Sequence, residues 1–328
     1  MKFRTELVLN PAVRKISHSQ QILSIGSCFA DEVGKKLTDA KFSMLSNPFG
    51  TIFHPLAIEN ALARILSLTH YCSDEIFNHG ELFFSWDHHT SFNRTSANET
   101  LESINTQLEK ANKFIRETSV FILTFGTAWV YQLKDTELFV ANCHKVPAHV
   151  FEKILLTEKQ LESAIRNCIN LIIDIHPNAH IIATVSPVRH TKDGIVENSL
   201  SKARLISALH TVIEERAVDY FPAYELLNDD LRDYRFYKED LVHPNSMATE
   251  YIWNKFSEVY FEQSTMDKIQ ELNKIKSALA HRPLNPKATA YKEFLYKTQK
   301  MIETAEKHFP KDSFAKEKSE LLKLSKLC

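Results

Sequence analysis

The sequence has few of the features that mark secreted, membrane or nucleic-acid-binding proteins. Cysteine is scarce, and the five copies are Cys28, Cys72, Cys143, Cys168 and Cys328. An odd number without close pairing argues against a disulfide framework. No apolar run approaches the roughly 18 residues of a membrane span, and the N-terminal apolar run is too short and broken for a signal peptide. With a formal net charge of -1, nothing indicates nucleic acid as a partner. We therefore expect a cytoplasmic protein with free thiols and no membrane partner.

Glycine is also rare, with only six copies in 328 residues. A chain this poor in glycine is expected to place it where the backbone requires it. Gly26 and Gly126 directly follow apolar β-branched runs, and Gly50 lies in the turn-like segment NPFG. The hydrophobic fraction of 44% and the charged fraction of 25% are ordinary for a globular protein. The length accommodates one large domain with an appendage, or two domains.

Short apolar runs alternate with amphipathic segments along the chain. The runs at 21–26, 42–46, 119–126, 180–187 and 217–224 predict strands. Helical periodicity predicts helices at 29–40, 54–66, 99–118, 156–177, 198–217 and 246–261. Such alternation is typical of an α/β fold with a mostly parallel sheet covered on both faces. Because these sheets bind ligands beyond the carboxyl ends of their strands, we expect the site at the loops after 26, 46, 126 and 186.

Three segments fall outside this alternation. Residues 70–97 are polar, aromatic and irregular, and we interpret them as an insertion. Residues 129–142 predict a β-hairpin that turns at Lys134 and Asp135. From about residue 262 the chain is rich in Lys, Glu and Leu, lacks glycine and is broken at 281–286. We predict a domain over 1–262 and a helical C-terminal extension over 263–328, which packs on that domain or contacts a partner.

The segment GSCFA (26–30) joins the first strand to a helix. A side chain at such a turn is exposed at the carboxyl edge of the sheet, with backbone N–H groups beside it. Ser27 or Cys28 could therefore act as a nucleophile next to an oxyanion hole, and the helix dipole would favour the Cys28 thiolate. The alternative is that Ser27 caps the helix and Cys28 fills the core.

Asp240 and His243 lie three residues apart, just ahead of a helix. At this spacing the carboxylate can orient the imidazole through one ring nitrogen and leave the other free to act as a base. An Asp and a His at this spacing are common before helices, so the motif alone is weak evidence for a catalytic pair. The evidence comes from its position late in an α/β chain whose first strand ends in a Ser-Cys turn.

The order of these motifs resembles the SGNH (GDSL-type) hydrolases, and the chain resembles more closely the GSCFA family, named for the motif at 26–30. Further segments similar to that family are NPFGTIFHP (47–55), FGTAWVY (125–131), ANCHKVP (141–147), TVSPVRH (184–190), YFPAYELL (220–227), LRDYRF (231–236) and DLVHPN (240–245). The resemblance covers roughly residues 3–262. It implies a three-layer α/β/α SGNH-hydrolase-like fold.

The resemblance also implies roles for individual residues. The nucleophile stands third in the Gly-Asp-Ser turn of SGNH enzymes, which puts Cys28 at that position; if the turn shifts, Ser27 reacts instead. The second glycine block corresponds to Gly50, whose N–H would join the oxyanion hole, and Asp240 and His243 correspond to the final block.

The third block departs from the SGNH pattern. It is usually Gly-x-Asn, but here it reads Gly126-Thr127-Ala128. Thr127 and Asn142 are the candidate substitutes for the missing asparagine donor. Each oxyanion donor stabilises the transition state by roughly 3 kcal/mol, so loss of the asparagine argues against ordinary esterase activity unless another donor replaces it.

The remaining candidates contact substrate in our interpretation. They are Gly126, Arg189, His190 and His89. Arg189 could hold a substrate carboxylate or phosphate, or it could form an ordinary salt bridge or pack within its loop. The histidines at 88, 89 and 144 have no zinc-type spacing, so we predict no metal and expect them to be solvated or to contact substrate.

These observations together favour hydrolysis of an acyl ester through a covalent intermediate, and we expect the ester to be an acetyl or other acyl group on a carbohydrate. The expected partner is a small-molecule or carbohydrate ester, and no cofactor is expected. One alternative is an O-acyltransferase that uses an acyl thioester donor. Another is a non-catalytic SGNH fold that binds a glycan or a protein. The oligomeric state is left open.

Overall fold

The computed structural model describes residues 4–310 and 312–326. Its strands are β1 (Gln21–Gly26), β2 (Ser43–Ser46), β3 (Phe77–His79), β4 (Leu82–Phe84), β5 (Thr118–Phe125), β6 (Trp129–Leu133), β7 (Phe139–Val140), β8 (Phe151–Leu155), β9 (His180–Val185) and β10 (Val218–Tyr220). Its helices are α1 (Cys28–Asp39), α2 (Pro55–Ser67), α3 (Ala97–Ile115), α4 (Glu158–Ile175), α5 (Ile195–Glu215), α6 (Ala223–Glu225), α7 (Ser246–Tyr260), α8 (Gln263–Ala280), α9 (Thr289–Ala305) and α10 (Ala315–Ser325). The predicted alternation of strands and helices is confirmed.

The main sheet has five parallel strands in the order β2-β1-β5-β9-β10. Successive side chains of a strand point to opposite faces, and here both faces are apolar: Leu23 and Ile25 pack against α2, α3, α4 and α5, whereas Ile22 packs against α1 and α7. Helices therefore cover both faces, which confirms the three-layer α/β/α architecture. Because all five strands run in parallel, their carboxyl ends and the loops that follow them meet at one edge.

A small antiparallel sheet, β7-β6-β8, lies beyond the end of β5. The predicted hairpin is present as β6 and β7, with Tyr131 opposite Val140. Its turn is longer than predicted, since β6 ends at Leu133 and β7 starts at Phe139. Strand β8 was not predicted, and it pairs with the other side of β6. The segment 70–97 contains a short hairpin, β3-β4, although its interpretation as an insertion stays a prediction.

The three helices α8, α9 and α10 confirm the helical C-terminal extension. They form a hydrophobic core of their own, which includes Leu272, Leu295 and Phe314. They also contact the α/β domain, because Lys41 at the end of α1 donates to Glu317 of α10 at 2.6 Å. The extension thus packs on the domain, while the boundary at residues 262 and 263 stays a prediction.

The described cysteines, Cys28, Cys72, Cys143 and Cys168, are free thiols. Cys328 lies outside the described residues. Among the helices of residues 4–310 and 312–326, we find none with the length and apolarity to cross a bilayer.

Candidate active site

The turn after β1 is shaped by Gly26 and Ser27. Gly26 has a φ of +148°, and a Cβ at this position would lie 2.1 Å from the carbonyl oxygen of Thr124 on β5, so only glycine fits. The N–H of Ser27 donates to the same oxygen at 3.1 Å, and the Ser27 hydroxyl accepts from the N–H of Phe29 at 3.3 Å. With a relative exposure of 0%, Ser27 is the N-cap of α1 and does not face solvent.

Cys28 is the first residue of α1 and is only partly buried. Its position at the helix N-terminus favours the thiolate, and a backbone hydrogen bond does act in that direction, but burial and a nearby carboxylate outweigh it. Burial, followed by the nearby Asp31 carboxylate, raises the pKa of the Cys28 thiol to about 11, because both disfavour a negative charge on sulfur. The thiol therefore needs a base to remove its proton at neutral pH.

Asp240 and His243 form a hydrogen-bonded pair in the loop before α7. Nδ1 of His243 donates to Oδ2 of Asp240 at 2.7 Å, and Oδ1 of Asp240 accepts the N–H groups of Val242 and His243 at 2.9 Å each. These donors hold the pKa of the Asp240 carboxyl well below its usual range. Since Nδ1 is occupied, Nε2 of His243 is the nitrogen left to accept a proton.

One cavity of about 560 Å³ joins the thiol to this pair. Its walls come from the loops after β1, β2, β5 and β9, from the β6–β7 hairpin and from the Asp240–His243 loop, with Cys28, Asp240 and His243 all in its lining. Ser27 is not part of the lining. The volume is within the range of small-ligand sites, and its location at the carboxyl ends of the strands is the one that the sequence predicts.

The prediction that Gly50 supplies an oxyanion donor is wrong for this structure. Its N–H donates to the carbonyl oxygen of Asn47 at 2.7 Å, which closes the turn after β2. Gly50 has a φ of +76°, and a Cβ there would lie 2.4 Å from Cβ of His89. The glycine is therefore required by the turn and by the packing of His89. The N–H of Ser27 is also engaged, which leaves the N–H of Cys28 as the turn's candidate donor, since the first amides of a helix have no intrahelical acceptor.

Thr127 and Asn142, the other two predicted donors, both line the cavity. The Thr127 hydroxyl accepts from the N–H of Trp129 at 3.0 Å and lies 3.1 Å from the hydroxyl of Ser201. Asn142 uses its side-chain oxygen to accept the N–H of His144 at 2.9 Å, so its amide NH₂ is the group that can donate to a ligand. Their role as oxyanion donors stays a prediction.

Gly126 was predicted to contact substrate, but it does not line the cavity. Its N–H donates to the carbonyl oxygen of Phe53 at 2.7 Å, and its own carbonyl oxygen accepts from Nζ of Lys202 at 2.7 Å. A Cβ on Gly126 would lie 3.0 Å from the Phe53 oxygen. Gly126 thus allows the loops after β2 and β5 to approach each other.

Lys202 is a residue of this site that the predicted set of site residues does not contain. It has a relative exposure of 1%, and its ammonium also donates to the carbonyl oxygen of Ser186 at 2.7 Å. It therefore bridges the ends of β5 and β9 from beneath. Its signal in the sequence is its position on the buried stripe of α5, together with Ser201 and Leu205, where a charged residue is unusual.

Arg189 and His190 follow β9 and line the cavity, as does His89. Nη2 of Arg189 donates to the carbonyl oxygen of Leu241 at 2.6 Å, and its guanidinium lies 4.5 Å from the ring centre of Tyr237. Arg189 thus packs against the Asp240–His243 loop and anchors it, which is one of the two structural roles considered as alternatives to a substrate contact. Burial lowers the pKa of His190 to about 4, so this imidazole is neutral at pH 7. Substrate contacts by these residues stay predictions.

His88 and His144 are not solvated, contrary to the expectation for these histidines. The His88 ring stacks on Phe49 with centroids 4.3 Å apart, and the His144 ring stacks on Phe84 at 4.2 Å. Both histidines are buried. Of the adjacent residues His88 and His89, His89 is the one that lines the cavity.

The fold and the site define an α/β/α protein that gathers a thiol and an Asp-His pair at the carboxyl edge of its sheet. The model described as the GSCFA family matches residues 21–256, more than half of the chain, and the chain therefore belongs to the GSCFA family. A second model, described as GSCFA domain protein, C-terminal domain, matches residues 272–325.

No curated protein matches the chain. Among solved structures, the chain is similar to a carbohydrate esterase family 3 from Talaromyces cellulolyticus, at 9% sequence identity and a TM-score of 0.35, over 78% of this chain and 99% of that chain. A serine-to-alanine mutant of an acetyl esterase with an acetate ion matches at 9% identity and a TM-score of 0.35, over the same shares of the two chains. Similarity at this level carries no inference about activity.

Proposed function

We propose that the protein is an enzyme that cleaves acyl esters through a thioester intermediate on Cys28. The observation that carries the proposal is the shared cavity: Cys28 lines it together with His243, whose Nδ1 is held by Asp240 at 2.7 Å. A nucleophile, a base and a group that orients the base are the three parts that covalent acyl chemistry needs.

The reaction begins when Nε2 of His243 takes the proton of the Cys28 thiol. The sulfur then attacks the carbonyl carbon of the ester, a C–S bond forms, and the carbonyl oxygen becomes an oxyanion. When the oxyanion collapses, the C–O bond to the alcohol breaks, and His243 returns the proton to the leaving alkoxide. Water next attacks the thioester while Nε2 of His243 takes one of its protons. When the C–S bond breaks, His243 gives this proton to the leaving sulfur, which releases the carboxylic acid and restores the thiol and the neutral imidazole.

The raised pKa of the Cys28 thiol supports a role for His243 as a general base. A thiol that stays protonated at neutral pH cannot attack until its proton is removed. The Asp240 carboxylate remains ionised, because two backbone N–H groups and the imidazole hold its pKa low. It can therefore stabilise the imidazolium that forms during attack.

We infer that the substrate is a small acyl group, such as acetyl, esterified to a carbohydrate. Trp129 and Tyr131 line the cavity, and aromatic side chains with a polar edge suit the faces and hydroxyl groups of sugars. The cavity volume of about 560 Å³ has room for one or two sugar rings beside the acyl group.

Transfer of an acyl group from a thioester donor to a hydroxyl is a second candidate. The observation that favours it is the Cys28 thiol itself. When the acyl group moves from a donor thioester to this thiol, one thioester bond breaks and another forms, so the donor and the intermediate contain the same kind of bond. A carbohydrate hydroxyl would then replace water in the second half of the reaction.

The proposal is tested with acetylated sugars, aryl esters and acyl thioesters, each with and without a sugar acceptor. Cys28→Ala should lower turnover by at least about 1,000-fold and His243→Ala by about 100-fold or more. Cys72→Ala is the matched control, because Cys72 is an exposed free cysteine outside the cavity, and it should retain turnover. Hydrolysis without acceptor favours the esterase, and acceptor-dependent product favours transfer. Full turnover by Cys28→Ala would overturn the proposal, and sugar binding without turnover would favour the non-catalytic alternative.

A further inference from the structure

Arg189 brings a guanidinium into the lining of the active-site cavity, on the loop that follows β9. A guanidinium has five N–H donors, and the hydrogen bond from Nη2 to the carbonyl oxygen of Leu241 at 2.6 Å uses one of them. Its Nε is buried and has no hydrogen-bond partner. Within residues 4–310 and 312–326, the guanidinium forms no ion pair with a carboxylate. Anchoring the loop therefore accounts for one donor of this cation and not for its charge.

Two tyrosine rings hold the guanidinium in place. It lies 4.5 Å from the ring centre of Tyr237 and 5.5 Å from that of Tyr234. A cation–π contact of this kind needs no N–H donor of the cation. The hydrogen bond to Leu241 and the two rings thus position Arg189 while leaving donors for a ligand.

Lys192 is a second cation on the same loop. It lines the cavity three residues after Arg189, in the short exposed turn Thr191–Asp193. In the part of the chain that the structure describes, its ammonium has neither an ion pair nor a hydrogen bond. A lysine on a flexible four-carbon stem can follow a charged ligand into position.

The two carboxylates of the described cavity lining already have partners. Asp193 forms an ion pair with Lys153, whose ammonium also lies 4.4 Å from the ring centre of Trp129. Asp240 accepts hydrogen bonds from Nδ1 of His243 and from two backbone N–H groups. The cations of Arg189 and Lys192 are therefore left without an anion, which makes this side of the cavity complementary to a negatively charged ligand.

We propose that the ester substrate carries a negative group, a carboxylate or a phosphate, on its sugar, and that Arg189 binds this group with Lys192 in support. The proposal rests on the proposed function, because it names the class of carbohydrate ester that the Cys28 site cleaves. Arg189 donates to the loop that carries Asp240 and His243, so the anionic group binds beside the base. A guanidinium binds both kinds of anion through paired hydrogen bonds, and the experiment distinguishes them.

The test compares acetyl esters of three sugars that differ only at C6: glucose, glucuronate and glucose 6-phosphate, each acetylated at the same hydroxyl. The readout is the ratio of kcat/KM for an anionic ester to kcat/KM for the neutral glucose ester. The wild type should give a ratio of about 10 or more for at least one anionic ester, because hydrogen bonds to charged groups are the stronger ones. A high ratio for glucuronate alone identifies a carboxylate, and a high ratio for glucose 6-phosphate alone identifies a phosphate.

Arg189→Met should lower this ratio about tenfold, and Lys192→Met should lower it about two- to fivefold, because an exposed ion pair contributes less. Arg189 also holds the Asp240–His243 loop, so Arg189→Met slows the cleavage of both esters. That structural effect is the same for the neutral and the anionic ester and cancels in the ratio. Lys145→Met is the matched control, because Lys145 is an exposed cation outside the cavity lining, and it should keep the wild-type ratio.

A wild-type ratio within about twofold of one for both anionic esters overturns the proposal. A ratio that is the same in the wild type, Arg189→Met and Lys192→Met also overturns it. Lys192→Met keeps the test decisive if Arg189→Met does not fold, because its side chain lies on an exposed turn. An unchanged ratio in this variant then counts against the proposal.

Binding of the three sugars without their acetyl groups separates this proposal from the proposed function. Calorimetry with glucose, glucuronate and glucose 6-phosphate requires no acyl chemistry and no nucleophile. If the wild type binds an anionic sugar, Arg189→Met loses this binding and no ester is turned over, the proposed function is wrong and the anion site stands. If the esters are turned over without preference for a negative group, the anion site alone is wrong.

Discussion

Replacing Asp240 by asparagine should stop His243 from acting as a base while leaving the loop intact. The asparagine oxygen can still accept the N–H groups of Val242 and His243, as Oδ1 does now at 2.9 Å. The amide NH₂ would replace Oδ2, however, and it is a donor. It would favour the tautomer of His243 with its proton on Nε2, and this nitrogen could then no longer accept a proton from Cys28.

The expected loss follows from the contribution of a general base, which is typically 10²- to 10⁴-fold in rate. We expect the lower half of this range, about 10²- to 10³-fold, because Asp240 and His243 are both exposed to solvent and water competes for their hydrogen bonds. The free energy of unfolding should stay close to that of the wild type for the same reason.

The assay is the rate of Cys28 acylation by an aryl acetate, measured by rapid quenching, together with urea unfolding. Asp233→Asn is the control, because Asp233 accepts the N–H of Arg235 at 2.8 Å in a nearby turn and does not line the cavity. Acylation by Asp240→Asn at a rate within about threefold of the wild type would refute the assignment of His243 as the base.

Three further predictions concern stability and the turn after β1. Ser27→Ala removes the cap of α1 and should lower the free energy of unfolding by about 1 kcal/mol in urea without slowing acylation; a tenfold loss of acylation would favour Ser27 as the nucleophile. Gly26→Ala places a methyl group 2.1 Å from a carbonyl oxygen and should cost more than about 3 kcal/mol, whereas Gly80→Ala, with nothing within 4 Å, should cost about 1 kcal/mol; equal costs would contradict the clash. Burial lowers the pKa of Lys202 to about 7, so between about pH 7 and pH 10 the unfolded chain binds more protons than the folded one, and stability should rise with pH. Relative to Lys202→Met, the free energy of unfolding of the wild type in urea should rise by about 2 to 3 kcal/mol from pH 7 to pH 9. If the free energies of the two proteins change with pH in parallel, this prediction is wrong.

The parallel sheet could be predicted because its strands are buried on both faces. Each of the central strands β1, β5 and β9 is a short run of apolar residues, and such runs differ clearly from the helical periodicity around them. Strand β8 could not be predicted in this way. Its consecutive residues Glu152 and Lys153 are both exposed, so the strand lacks the alternation of apolar and polar residues. Its pairing with β6 is what makes it a strand.

The Asp-His pair could be predicted because all of its hydrogen bonds are local. Within residues 4–310 and 312–326, the Asp240 side chain forms hydrogen bonds only with groups two and three residues away, and such geometry follows from spacing in a turn. The prediction that Gly50 is an oxyanion donor was wrong for a related reason. Its N–H closes a local turn by donating to the carbonyl oxygen of Asn47, and a glycine in a motif does not reveal whether its amide already has a hydrogen-bond acceptor.

Lys202 depends on contacts that no local pattern encodes. Its two acceptors, Gly126 and Ser186, lie 76 and 16 residues away in the sequence, and they meet only because β5 and β9 are neighbours in the sheet. Periodicity alone places Lys202 on the buried face of α5, but the reason for a charge there becomes visible only when the strand ends are brought together.

The most direct test of the central claim is the site of acylation. Wild-type protein and His243→Ala are mixed with an aryl acetate, quenched in acid, and analysed by intact mass and peptide mapping. The account predicts one acetyl group on Cys28 of the wild type and its absence from His243→Ala over the same time. An acetyl group on Ser27 or Cys143, or equal acylation of Cys28 in both proteins, would contradict it.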